Sequence, residues 1–228
     1  MKLEATKLLP ELTLHQGGLW HLFLSHIWGS GQDQCATIKR QLCLLLQGVS
    51  VFLDVDDLKD IAALETYVDQ TAVIMIFVSN GYFKSKNCLR EARCTVAKKK
   101  PIALVHDSAV YLKTHMPLET IKADECPDEL RGPIFDGRDV IPWHRIVDFQ
   151  HVSLKLLAEE VLKGCPEPPE DLRIFVQGEM PMQKRTFRLK PRLYASPNNP
   201  GAKAVADDLR GGMDGAVDVV SSLGSSRE

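Results

Sequence analysis

Along this chain, short unbroken apolar runs alternate with stretches whose apolar residues recur every three to four positions. The runs over residues 20–25, 49–54, 72–79, 101–106 and 139–143 read as five strands. The third, Ala72-Val-Ile-Met-Ile-Phe-Val-Ser79, is the most continuous, which predicts a central strand buried on both faces. Pro142 in the fifth predicts a sheet edge, because proline has no N–H to give a ladder. Between the runs, Ile38, Leu42, Leu45 and Leu46 mark one face of a helix over 32–46, and Gly48 ends it. A short helix is expected over 62–70. Cys88, Ala92 and Val96 mark a buried face over 87–99, and Leu154, Leu157, Ala158 and Val161 another over 151–162. Strands alternating with helices predict an α/β fold: a five-stranded, doubly wound parallel sheet in the flavodoxin-like order 2-1-3-4-5, with helices on both faces.

The pattern also divides the chain. Residues 1–18 read as an N-terminal extension and 19–164 as the α/β domain. A linker over 165–191 opens with Cys165-Pro-Glu-Pro-Pro-Glu170. Residues 192–210 read as a partial second βα unit, and 211–228, rich in Gly and Ser, as a disordered tail. One βα unit cannot bury its own faces. The remainder is therefore expected either to pack on the first domain or to continue in a longer protein.

Composition narrows the classes. Hydrophobic residues make up 44% and charged residues 25%, with a formal net charge of −2, which fits a globular protein and not a general nucleic-acid binder. No apolar run approaches the roughly 18 residues of a membrane span, and the amino terminus lacks a signal-peptide core, so a cytoplasmic location is expected. The six cysteines include no Cys-x-x-Cys pair and no histidines at zinc-ligand spacing, so no metal site is expected and several cysteines should be small core residues. The one dense basic run, Lys98-Lys99-Lys100, falls where a helix should end.

The stretch Asn80-Gly-Tyr-Phe-Lys-Ser-Lys-Asn-Cys-Leu-Arg-Glu91 follows the central run and opens a helix. Open α/β sheets bind ligands at the carboxyl ends of their strands, so Glu91 is placed beside such a crevice. The helix dipole should keep it ionised. The ordinary alternative is that Glu91 satisfies the helix start or pairs with Arg90 or Lys98. Gly29-Ser-Gly31 starts like a dinucleotide glycine loop, but the third glycine position is Gln34, which favours an ordinary turn. Asp54, Asp56 and Asp57 form an acidic cluster. A phosphoacceptor aspartate is absent from the third strand end, Ser79-Asn80, so the cluster reads as a solvated loop. His26 and His106 sit at strand ends facing the crevice.

Three ordered blocks carry a resemblance. They are Phe23-Leu-Ser25; Gly48-Val-Ser-Val-Phe-Leu-Asp54 followed by Asp56-Asp-Leu58; and Val78-Ser79, Tyr82, Ser85 and Cys88-Leu-Arg-Glu91. Together they resemble a TIR (Toll/interleukin-1 receptor) domain with a plant-type motif set. The resemblance implies signalling through self-association, and binding to other TIR proteins. It also implies cleavage of NAD at the nicotinamide–ribose bond, with NAD as substrate and no permanently bound cofactor. Glu91 would then be catalytic. Ser25, His26, Ile27, Trp28 and Gly29 after the first strand, Asp56 and Leu58 after the second, and Cys88 would shape the pocket. One carboxylate suffices for this chemistry, because the pyridinium leaves as neutral nicotinamide and needs no acid, unlike an ordinary glycoside. The chain also departs from the pattern. Asn87 stands where the plant-type run has Trp, and Lys59-Asp60 where Arg-Gly is usual. Trp28 either supplies the missing stacking surface or anchors its loop. The rivals are a non-catalytic TIR interaction module and a nucleoside-processing enzyme of related sheet order.

Overall fold

The computed structural model describes residues 1–54, 64–107, 115–176, 190–198, 202–212 and 217–220. They fall in two compact units, Met1–Glu179 and Met180–Glu228.

In the first unit the chain runs β1 (Lys2–Leu3), β2 (Trp20–Ser25), α1 (Trp28–Leu45), β3 (Val51–Phe52), α2 (Leu64–Asp69), β4 (Thr71–Val78), α3 (Lys86–Ala97), β5 (Ile102–Asp107), α4 (Asp128–Phe135), β6 (Val140–Trp143), α5 (Val147–Lys163) and β7 (Ile174–Phe175). Five parallel strands form one sheet in the order β3-β2-β4-β5-β6, which is the 2-1-3-4-5 arrangement expected. Every residue of β4 is buried. Its side chains alternate between two cores, as a period of two requires. Val73, Met75 and Phe77 join Ile38 and Leu42 of α1 and Leu157 and Val161 of α5. Ile74, Ile76 and Val78 join Val68 of α2, Ala92 of α3 and Ile134 of α4. Burying each such side chain contributes about 1.5–3 kcal/mol. β6 is an edge strand, and Pro142 is exposed there.

The N-terminal extension is tied in. Met1 is buried in the first core, and Lys2–Leu3 pairs antiparallel with Ile174–Phe175. Gly164 caps α5 so close to the sheet that an added Cβ would lie 2.0 Å from Val73 Cγ2. The lysine run does close a helix: Lys98 pairs with Asp69, and Lys100 Nζ donates to the carbonyls of Asp69 and Thr71.

Two helices differ from the sequence pattern. α1 begins at Trp28 and not at residue 32, so Gly29-Ser-Gly31 is its first turn and not a loop. Helical glycines are unfavourable, but Gly31 sits in a tight place: a Cβ there would lie 3.1 Å from His26 Cβ and 3.2 Å from Phe77 Cδ1, so a neighbour would have to give. The buried face of α3 is Cys88, Glu91, Ala92 and Thr95, so Val96 is turned partly outward. Thr95 tolerates this because its hydroxyl donates to the Glu91 carbonyl at 2.8 Å.

The second unit is β8 (Arg192–Tyr194), α6 (Ala202–Gly212) and β9 (Asp218–Val220), with β8 and β9 parallel. The expected single βα unit thus gains a second strand. That strand lies within 211–228, where composition predicts disorder. The short Asp218-Val-Val220 run is diluted by its Gly and Ser neighbours, and its backbone is satisfied by pairing. Among the described residues, no helix is long and apolar enough to cross a membrane.

Candidate functional site

A cavity of about 300 Å³ opens at the carboxyl ends of β2 and β3. The start of α1 gives it His26, Ile27 and Trp28. The start of α3 gives it Ser85, Asn87 and Cys88. Asp54 and Leu64 close one side, and Glu91 lines it from the second turn of α3. Two helix N-termini therefore border the cavity, with polarised backbone N–H groups of the kind that donate to phosphate oxygens.

Glu91 is held from behind. Ser25, at the end of β2, donates to Glu91 Oε2 at 2.5 Å, and the same Ser25 oxygen lies 2.5 Å from the Tyr82 hydroxyl. A serine hydroxyl has one proton to give, so the chain runs Tyr82 to Ser25 to Glu91. All three residues are buried. Arg90 forks onto Glu65 at 2.5 and 2.6 Å, and Lys98 is paired with Asp69. Among the described residues, the hydrogen-bond partner of the Glu91 carboxyl is the Ser25 hydroxyl.

Burial decides the charge of this group. Desolvation raises the Glu91 carboxyl to about 8; the Ser25 hydrogen bond lowers it, the Asp54 charge raises it further, and Arg90 lowers it. The expectation of a dipole-stabilised, ionised carboxylate is therefore overturned. Glu91 lies beyond the first turn, where the dipole fades, while its desolvation is nearly complete. Tyr82 is likewise held far above an ordinary phenol, first by burial and then by the Glu91 charge. Burial pushes the Cys88 thiol up to about 12, and its Sγ donates to the His26 carbonyl at 3.3 Å. Cys88 is a wall residue and not a nucleophile.

The rim is differently built. Trp28 is 64% exposed, and its Nε1–H donates to Asp54 Oδ2 at 2.6 Å. Asp54, read from sequence as part of a solvated loop, is instead the anchor of this indole. His26 is buried, with Nδ1 at 3.0 Å from the Leu24 carbonyl, Nε2 at 2.6 Å from Gln32 Oε1 and 3.8 Å from Asp54 Oδ1. These contacts hold the ring as part of the wall.

Of the residues expected from sequence, the cavity gathers Glu91, His26, Ile27, Trp28 and Cys88. Ser25 sits behind Glu91 and does not line the cavity; its β2 position points it into the core. Gly29 lies in the first turn of α1 with open space about its Cα. Asp56 and Leu58 lie outside the described residues. His106 is elsewhere, with Nε2 at 3.0 Å from the Met116 carbonyl. Trp143 is buried and donates to Gln34, a core role. Sequence reasoning missed Asp54, Leu64 and Ser85 as lining residues, and Tyr82 as the far end of the Glu91 chain; Asn87 lines the cavity where the resemblance puts the plant-type Trp. Tyr82 and Ser85 belong to the motif block and could have been assigned from it.

No family model matches the chain, and no curated protein matches it. Among solved structures, it is similar to the TIR domain of the Toll-related receptor TRR-2 from Hydra magnipapillata. The identity is 11%, over 63% of this chain and 98% of that one, with a TM-score of 0.43. At that score it is a likeness alone, and the fold stands on the strand order described above.

Proposed function

We propose that the chain is a TIR-type signalling module that self-associates and hydrolyses NAD at the nicotinamide–ribose bond. The observation that carries the reading is the buried Glu91 carboxyl lining a cavity whose rim holds an exposed tryptophan. The ordered motif set and the 2-1-3-4-5 sheet support it further.

The chemistry follows from the raised pKa of Glu91. Empty, the cavity holds Glu91 protonated near neutral pH. Arrival of a cationic pyridinium favours the carboxylate, and one proton leaves to solvent. The C–N bond then breaks with its electron pair going to nicotinamide, and positive charge appears on the ribose. Glu91, oriented by Ser25, offsets that charge where little water screens it. Water adds to the ribose carbon and gives a proton to Glu91, which restores the resting acid. The sum is NAD plus water giving nicotinamide, ADP-ribose and one proton.

The test is nicotinamide release by the purified protein, with activity per molecule measured across a dilution series. Release should rise steeply with protein concentration, and Glu91→Gln should lower it by about 100-fold or more. Full turnover in Glu91→Gln would remove Glu91 from the mechanism. A second reading, a non-catalytic interaction module, is favoured by Asn87 at the cavity edge in place of an aromatic. In that case homotypic binding survives Glu91→Gln and no nicotinamide is released.

A further inference from the structure

We propose that Glu125 is a positioning residue for Glu91: it pins the turn that delivers the Tyr82 hydroxyl to Ser25, and so fixes which way Ser25 gives its proton. This role rests on the proposed function and adds to it a residue outside the cavity. Glu125 ends a single π turn over Ile121–Glu125, closed by Cys126 N–H donating to the Ile121 carbonyl at 3.0 Å. Such turns are rare and recur at functional sites. The Glu125 side chain is fully buried, and its Oε2 accepts from Gly81 N–H at 2.9 Å. Its Oε1 lies 2.9 Å from Lys84 Nζ, an ion pair whose cation is largely exposed.

Gly81 is the pivot of that turn. Its φ is +83°, and its carbonyl accepts from Lys84 N–H at 3.0 Å and Ser85 N–H at 3.2 Å, which closes a 3-10 turn over Tyr82–Lys84. A Cβ at Gly81 would lie 3.3 Å from Ile27 Cδ1, so the turn is seated against the cavity wall. Glycine has many backbone states open to it, and the Glu125 acceptor selects one of them. Tyr82 is the next residue, and its hydroxyl reaches to 2.5 Å from Ser25 Oγ. If the turn shifts, Ser25 loses the donor that leaves its own proton for Glu91. Charge is not the route: beyond burial and the Ser25 hydrogen bond, the charges that act on Glu91 are those of Asp54 and Arg90. A buried ion pair is also weak evidence of a stabilising role, since apolar residues of the same volume often serve stability as well.

The experiment compares Glu125→Met with Glu125→Gln in the full chain. The two side chains have similar shapes, but only Gln offers Gly81 N–H an oxygen. One readout is the carbon-13 titration of the Glu91 carboxyl, assigned by its loss in Glu91→Gln. The other is kcat and KM for nicotinamide release from NAD. In Glu125→Met the Glu91 midpoint should rise by roughly 0.5 pH unit, because a chain that loses its outer donor bonds the carboxylate less strongly. There kcat should fall about tenfold while KM stays within about twofold. Glu125→Gln should stay close to wild type in both. Tyr82→Phe should reproduce the Glu125→Met changes, and the two substitutions together should add nothing further. A midpoint that stays or falls in Glu125→Met overturns the proposal. So does Glu125→Gln behaving as Glu125→Met does, or full additivity with Tyr82→Phe. A merely structural loss would lower the melting temperature and leave the midpoint in place. If Glu125→Met does not fold, Glu125→Ala carries the same test. The two readings fail separately. A raised midpoint in Glu125→Met, with no nicotinamide released by the wild type, removes the hydrolase reading alone. Release with midpoint and kcat unchanged in Glu125→Met removes the Glu125 proposal alone.

Discussion

Replacing Glu91 by Gln should stabilise the protein in alkaline solution and leave it nearly unchanged in acid. The side chains are nearly isosteric, and the amide oxygen of Gln still accepts from Ser25, so the substitution removes only the titration. In the fold, the Glu91 carboxyl titrates at about 8, against 4.5 for an exposed glutamate. The native state therefore holds its proton more tightly than the unfolded chain does. Below about pH 4.5 both states are protonated and no cost arises. As pH rises from about 4.5 to about 8, the unfolded chain ionises first and native stability falls; above about 8 the loss is complete. The gap between 4.5 and about 8, at about 1.36 kcal/mol for each pH unit, comes to about 5 kcal/mol. That is a large share of the 5–15 kcal/mol typical of a domain.

The assay is urea denaturation of wild type and Glu91→Gln at pH 5 and pH 8.5. The stability difference between the two proteins should widen by about 4 kcal/mol across that interval, with a melting-temperature gap of roughly 10 °C at the alkaline end. Comparing the two proteins at each pH cancels every other titrating group to first order. A difference that stays constant from pH 5 to pH 8.5 would refute the reasoning, because it would mean that Glu91 is solvated and titrates normally.

Ser25→Ala removes the donor to Glu91 and the acceptor of Tyr82, so it should cost about 1–3 kcal/mol and enlarge the pH-dependent gap between Glu91 and its Gln variant; an unchanged gap would show that the hydroxyl does not act on the carboxyl. Binding of 1-methylnicotinamide should tighten by up to about tenfold per pH unit as pH approaches 8 and then level off, because ionising Glu91 beforehand spares the ligand that work; calorimetric titration at pH 6, 7 and 8 reads this, and a flat profile would separate Glu91 from the ligand. Gly164→Ala should destabilise by about 1–3 kcal/mol, since its Cβ meets stiff, buried Val73, and denaturant unfolding that showed no change would mean the α5 cap relaxes freely.

The sheet was legible because its strands are buried on both faces and read as apolar runs. β2 falls on residues 20–25 as expected, and β4 is offset by one residue. β3 is much shorter than the run that announces it, because only Val51 and Phe52 pair with β2. The site was harder to read. Periodicity finds inward faces by their apolarity, so it passed over Glu91 and Thr95, the two polar residues that α3 turns inward. The helix start at Trp28 was hidden by two glycines, one of which packs closely against His26 and Phe77 inside the helix and makes no turn. Burial of a carboxyl depends on neighbours distant in sequence, here Ser25 and Tyr82, and no local spacing reports it.

These misreadings share a physical cause that bears on function. Each falls where local preference is overridden: a glycine pair inside a helix, a carboxyl on a core face, a large aromatic left in solvent. Natural sequences keep local and global preferences in agreement except where something other than stability is being held in place. In this domain the buried carboxyl and the exposed aromatic, Glu91 and Trp28, line one cavity. The burial that costs stability when Glu91 ionises is the same burial that would strengthen its charge in the proposed reaction. The hydrogen bond to Asp54 holds the exposed Trp28 indole at the cavity mouth. The proposed function would use the buried Glu91 and the exposed Trp28 together, since both line the same cavity.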